Sequence, residues 1–155
     1  MMERMPKHFF LVTGASEGKT PLNAFDRALL DAGIGNTNLI KMSSIIPPGA
    51  SRIEPVPIPA GVFLPVAYST LDSNIPGEVI SAAVAAALPD DPTLPGVIME
   101  YSAHGRKEDA ESVVTAMARD AMTYRGISNI NLFSAAREIK VQSQAAIFAA
   151  VVLWG

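Results

Sequence analysis

The sequence predicts a single-domain α/β fold with a mixed sheet, on three observations. Short apolar runs bounded by glycine and proline are interspersed with segments whose apolar residues recur every three to four positions, the marks of strands and of amphipathic helices packed in layers. At 155 residues the chain is one domain's worth and can bury a sizeable core. Hydrophobic residues make up 49% and charged residues 17%, too apolar for disorder and light on charge for a small monomer. Cover by other subunits would account for that balance.

The same totals narrow the function. Net charge is -3 and no Lys/Arg cluster forms a basic face, so nucleic acid finds no support as a partner. The absence of cysteine removes disulfides, thiolate catalysis and cysteine metal sites together. Met1 to Lys7 is short and mixed, without a signal-peptide apolar segment, and no apolar run approaches membrane-spanning length. The expected location is cytoplasmic, with no membrane partner.

Taken in order, His8 to Thr13 is short, bulky and apolar, a buried strand. Gly14 to Thr20 suggests a phosphate-binding loop, but only three residues separate its glycines where that motif needs four. A local reading is preferred: Thr20 caps a helix whose first position is Pro21, where a missing amide costs nothing. That helix carries Leu22, Phe25, Ala28, Leu29 and Ala32 on one face and stops near Gly33. Asn36 to Ser44 reads as a second strand. From Pro47 to Pro59, five prolines in thirteen residues exclude regular helix and central strand. Gly61 to Tyr68 resumes as a strand, with Pro65 at an edge or bulge position.

Pro76 opens a predicted second helix whose stripe is Val79, Ile80, Ala83, Val84, Ala87 and Leu88, closed by Pro89. Gly96 to Tyr101 is a short apolar strand. Arg106 to Arg125 is predicted as the longest helix, with Ala110, Val113, Val114, Met117, Ala121 and Tyr124 inward and Gly126 as its stop. The chain closes on two strands, Ile127 to Gln142 and Ala145 to Trp154, read as a hairpin around Ser143. The last is apolar almost throughout, as a central strand should be.

Chemistry is carried by few residues. Ser43 and Ser44 end an apolar run and are followed by Ile45-Ile46-Pro47-Pro48, where the prolines forbid helix and favour extended chain. A peptide bond held there can be strained, and strain helps a neighbouring hydroxyl attack its carbonyl. Asn38, six residues before Ser44, reads by itself as a turn or edge amide. Glu100 follows Val97-Ile98-Met99, and an apolar setting raises a carboxyl pKa from about 4.3 towards general-acid use. A salt-bridged or solvent-facing glutamate is the other reading, and both stand at this point. Asp26 reads as an exposed helix acid. His8 and His104, the two histidines, lack metal-ligand spacing, and no nucleophile-elbow glycines flank the serines. His104 reads as a surface residue.

Several blocks in order resemble the pyruvoyl-dependent arginine decarboxylases: Gly14 through Asp26, Gly33-Ile34-Gly35-Asn36 with Asn38-Leu39-Ile40, and Ser43-Ser44-Ile45 with Pro47-Pro48. Pro76-Gly77-Glu78, Ile98-Met99-Glu100-Tyr101 and Leu153-Trp154 fit as well. The resemblance implies an αββα-type sandwich that assembles as a trimer, with active sites between subunits and room for two trimers to pair. It also implies self-cleavage between Ser43 and Ser44 into a β chain (1–43) and an α chain (44–155), with Ser44 Oγ attacking the Ser43 carbonyl and residue 44 becoming a covalent pyruvoyl cofactor. Asn38 would assist at that carbonyl, Glu100 would donate the proton to the decarboxylated carbon, and Asp26 would hold the guanidinium of arginine. Arg27, beside Asp26, would disfavour a cationic substrate if it lay close. A decarboxylase for another amino acid, or an uncleaved trimeric ligand-binding scaffold, therefore stands as the alternative.

Overall fold

Burial on two sides decides what the alanine-rich run after Glu78 becomes. In the computed structural model, which describes residues 5–155, Val79–Pro89 is a strand and not the helix its spacing predicts. Ile80, Ala82, Val84 and Ala86 pack into a core between two sheets, while Ala83, Ala85 and Ala87 pack under a helix. A run covered on both faces carries no usable period, so three-to-four spacing appears in it by accident. Alanine's helix preference, up to about 0.7 kcal/mol per residue, yields to that burial.

The elements run β1 (His8–Glu17), α1 (Pro21–Asp31), β2 (Asn38–Lys41), β3 (Ile45–Ile46), β4 (Ser51–Arg52), β5 (Phe63–Ser73), β6 (Val79–Pro89), β7 (Gly96–His104), α2 (Lys107–Tyr124), β8 (Ile130–Lys140) and β9 (Ala145–Trp154). Of the N-terminal segment Met1 to Lys7, the first four residues lie outside the described residues. One sheet has the order β2-β5-β9-β1-β4 and the other β3-β7-β6-β8. The β1–β4 and β2–β5 pairs are parallel and the rest antiparallel, so the first sheet is mixed. The sheets pack face to face, α1 covers the outer face of the first and α2 that of the second. This is the αββα sandwich. Strand β9 shows the alternation that builds it: Ile147, Ala149, Val151 and Leu153 face the other sheet, and Ala146, Phe148, Ala150 and Val152 face α1.

Local signals hold at α1. Thr20 Oγ1 accepts the Asn23 N–H at 3.1 Å, and Pro21 takes the first helical position. The two glycines of the preceding motif serve packing. A Cβ on Gly14 would lie 1.9 Å from the Ala28 carbonyl oxygen, and one on Gly18 would lie 2.3 Å from the Ala24 nitrogen. The backbone of α1 thus lies directly on the end of β1. Gly14→Ala should lower stability by about 1–3 kcal/mol or more, since helix backbone cannot step aside as a side chain could. A urea unfolding midpoint equal to that of the parent would contradict this.

The predicted closing hairpin does not form. β8 pairs with β6 in one sheet and β9 with β5 and β1 in the other, so 141–144 is a crossover between sheets. Both strands are apolar enough to need cover on their inner faces, and the sandwich supplies it by separating them. Glu17 holds the crossover: its carboxylate accepts the N–H groups of Gln142, Ser143 and Gln144 at 2.9 to 3.1 Å. Partial burial pushes its pKa up, but these backbone bonds outweigh that and hold it below the ordinary range. The clamp is therefore intact above ordinary glutamate pKa values and is lost as pH falls through the lowered one.

One further expectation shifts and one holds. α2 buries Ala110, Val114, Ala118, Ala121 and Met122, whereas Tyr124, expected inward, is 93% exposed. Val113 and Met117, also expected inward, are exposed, so the buried stripe is rotated by about one position. The proline-rich stretch lies along the edge of β1, with Ile53 N–H bonded to the Phe9 carbonyl at 2.9 Å and Val56 and Ile58 against the α1-side core. No helix among the described residues is long and apolar enough to cross a membrane.

Candidate active site

Residues 42–44 carry the chain from the edge of one sheet to the edge of the other. Lys41 ends β2 in register with Val66, and the Met42 N–H donates to the Val66 carbonyl at 2.9 Å. Met42 then points into the core between the sheets. On the far side the Ser44 carbonyl accepts the Ile98 N–H at 2.8 Å, and Ile45 pairs with Val97. The double proline begins just beyond Ile46 and turns the chain, the Ala50 N–H bonding to the Pro47 carbonyl. The Ser43–Ser44 peptide thus spans a gap whose two banks are hydrogen-bonded independently of it. No non-glycine residue among those described has a positive φ. The expected backbone strain is not visible there, and what the fold supplies is position.

A cavity of about 220 Å³ opens at this gap, lined by Ser43, Ser44, Ile98, Met99 and Glu100. Glu100 stands opposite Val84 on β6 and shares its face, which turns the side chain towards the space between the sheets. Its Oε2 is buried without a hydrogen-bond partner. Such an oxygen costs about 1–3 kcal/mol, a cost that singles it out for a functional explanation. Burial pushes the Glu100 pKa up, and the charge of Lys41 pulls it only partly back. The structure therefore sets a carboxyl that keeps its proton to higher pH than usual in one cavity with the Ser43–Ser44 bond. Glu100 is thus half-buried, with one oxygen buried and unpartnered, nearer to the apolar reading than to the solvent-facing one.

Lys41 is the residue the sequence reading passed over. Its Nζ lies 4.9 Å from the centroid of the Tyr68 ring, and it is the cation acting on Glu100. The signal was available, since Lys41 is the nearest charged residue before the serine pair, separated from it only by Met42.

Two other candidates lie elsewhere in the same chain. Asn38 is exposed at the start of β2, where its amide donates to the Gly61 carbonyl at 3.0 Å, and it does not line the cavity. Asp26 is exposed on α1, which covers the face of its sheet opposite the other sheet. Arg27 donates to the Glu17 carbonyl at 3.2 Å and is thereby directed to the end of β1. His104 is exposed, as expected, but its Nδ1 contacts Glu78, whose other oxygen accepts from Ser73 at 2.5 Å. His8 Nδ1 meets Ser51 Oγ at 3.3 Å. One chain thus gathers Ser43, Ser44 and Glu100, and holds Asp26 and Asn38 apart from them.

The family model described as pyruvoyl-dependent arginine decarboxylase matches residues 8–153. The chain is 48% identical over 152 residues to the pyruvoyl-dependent arginine decarboxylase of Methanocaldococcus jannaschii, covering 97% of this chain and 92% of that one. It is 47% identical over 151 residues to the protein of the same name in Methanococcus aeolicus, with the same coverage. To that of Pyrococcus furiosus it is 40% identical over 151 residues, covering 95% of each chain.

Proposed function

The chain belongs to the pyruvoyl-dependent arginine decarboxylase family, and from that premise we propose that it cuts itself between Ser43 and Ser44 and then decarboxylates L-arginine to agmatine and carbon dioxide. The observation that carries this is the shared cavity, in which a half-buried carboxyl with one buried, unpartnered oxygen faces a serine pair held from both sides. We place the reaction in the cytoplasm, at the entry to polyamine biosynthesis.

In the cleavage step Ser44 Oγ attacks the Ser43 carbonyl and the C–N bond breaks, leaving an ester. Loss of the Cα proton of residue 44 expels Ser43 as a carboxylate and leaves dehydroalanine. Water converts that to a pyruvoyl group with release of ammonia. The Ile98 N–H bond to the Ser44 carbonyl would hold residue 44 at the cavity throughout. The residues present fit such a group: position 44 is a serine on the cavity wall, with the half-buried carboxyl of Glu100 beside it. Once formed, the group supplies an electron-withdrawing ketone that takes the substrate amine and accepts the electrons left as carbon dioxide departs. Glu100 holds the proton that the decarboxylated carbon receives. Ile98, on the same face of β7 as Glu100, limits water at that carbon.

Asp26 and Asn38 fit their assigned roles only across a subunit boundary. Asp26 is separated from the cavity by its own sheet, and Asn38 by five residues, roughly 16 Å of extended chain. A neighbouring copy can bring both, which agrees with a trimer whose sites lie between subunits. Exposed Phe63 (73%) and Ile40 (52%), on the β2–β5 side of the first sheet near Asn38, support a covered surface there.

Mass spectrometry tests the cleavage. Two chains are expected, with a blocked N-terminus at position 44, and a single 155-residue species would leave the scaffold alternative instead. Asn38→Ala should slow cleavage by roughly 10²–10³, the usual loss for one oxyanion donor, and unchanged maturation kinetics would remove that role. Asp26→Asn should leave cleavage intact and weaken arginine by about 2–5 kcal/mol, mainly in KM. Carbon dioxide release from arginine, lysine, ornithine and an uncharged analogue reads the effect. If the variant treats arginine as the parent does, Asp26 does not hold the guanidinium.

A further inference from the structure

We infer that the carboxylate which cleavage creates on Ser43 is a working part of the mature site: it remains in the cavity beside Glu100 and keeps that glutamate in its protonated, proton-donating form. The inference rests on the cleavage proposed above and extends it, giving a role to the new end of the N-terminal chain.

Anchoring comes first. Lys41 is paired in register with Val66, the Met42 N–H is bonded to the Val66 carbonyl, and the Met42 side chain is packed between the sheets. Only Ser43 extends past these contacts, and none of them involves the bond to be cut. Ser44 is held separately through Ile98, and Ile45 through Val97. Breaking the bond between two anchored banks leaves both ends lining the cavity they line already. The charge follows from the atom balance. When the ester's Cβ–O bond breaks, its electron pair stays on oxygen, so Ser43 leaves as an anion while the Cα proton of residue 44 goes to solvent.

The surroundings leave few other charges to act on Glu100. β6 presents Val84 opposite it, and β3 presents Ile45 and Ile46. On β5, Tyr68 packs against Phe25 and Phe148, and Asp72 is in register with Ala146, so both face α1. α2 covers the opposite face of the sheet. Lys41 remains, and it favours the ionised form. A new anion at Ser43 opposes it twice. It repels a second negative charge in a cavity of about 220 Å³, and it attracts the ammonium two residues away. The two carboxyls then titrate as a coupled pair that retains one proton to higher pH. Maturation would thereby make the electron-accepting residue and the readied proton donor in one event.

Carbon-13 NMR of protein labelled at glutamate carboxyls reads this directly, with the Glu100 line assigned by its loss in Glu100→Gln. Three samples are compared: mature protein, mature protein whose ketone has been reduced by borohydride, and uncleaved Ser44→Ala. In both cleaved samples the Glu100 midpoint should lie about one pH unit or more above that of the uncleaved chain. Midpoints equal to or below the uncleaved value overturn the inference. A rise confined to the unreduced sample also overturns it, because the ketone would then be the cause. Mass spectra of the same samples separate the two levels. A wild-type chain that never divides fails the cleavage reading and this inference with it, whereas a cleanly cut chain with an unmoved Glu100 fails this inference alone.

Discussion

Ser44→Ala is expected to yield one uncut chain of 155 residues that releases no carbon dioxide from arginine. Alanine keeps the backbone, so the bond from the Ile98 N–H to the residue 44 carbonyl, the pairing of Ile45 with Val97 and the core around Met42 should all survive. What disappears is the hydroxyl that attacks the Ser43 carbonyl, and with it the group that would accept electrons from the substrate. Without that group the rate should fall by at least about 10⁶, the lower end of what enzymes supply over the uncatalysed reaction. A denaturing gel and an intact mass decide the first half, and a carbon dioxide assay the second. Two fragments from the variant would end the assignment of Ser44 as nucleophile. Retained stability against urea would show that the loss is chemical.

Glu100→Gln should separate maturation from turnover. The amide keeps size and polarity, and it sits beside a scissile bond anchored without its help, so cleavage should proceed. Turnover should fall by about 10²–10⁴, the range for a positioned general acid. Turnover within a few-fold of wild type would remove Glu100 from that role. The pH dependence has a definite sign. Burial raises the Glu100 pKa, so the folded chain binds its proton more tightly than the unfolded chain does. The cost of ionising this group lowers stability as pH rises from the ordinary glutamate value through the raised one. Glutamine does not ionise, so the variant should be more stable than wild type above that window and lose its advantage below it. Urea titrations at several pH values measure this. A variant less stable than wild type at neutral pH would mean that Glu100 makes a favourable contact there.

Signals written into neighbouring residues were legible in the chain. Thr20-Pro21 starts a helix and Gly33 stands just past its end, because a cap and a missing amide act within one turn. Pro47-Pro48 ends the extended run after the serines for the same local reason. The uniformly apolar Ala145 to Trp154 announced a central strand, and β9 lies in the middle of its sheet. Resemblance along the chain identified the family and implied roles for Ser44 and Glu100, which the residue pattern by itself left open.

The tertiary structure decided what depends on partners distant in sequence. Val79–Pro89 carries a helical spacing, yet cover from α2 on one face and the facing sheet on the other makes it a strand. β8 and β9 are neighbours in sequence and separate into different sheets, since each inner face needs apolar cover the other strand cannot provide. The unpartnered oxygen of Glu100, the pull of Lys41 upon it and the distance of Asp26 from the cavity are likewise invisible along the chain. Caps, prolines and apolar runs act over a few residues, and the sequence determines them unaided. Burial on a second face, and the electrostatics it creates, exist only once two sheets have closed on each other.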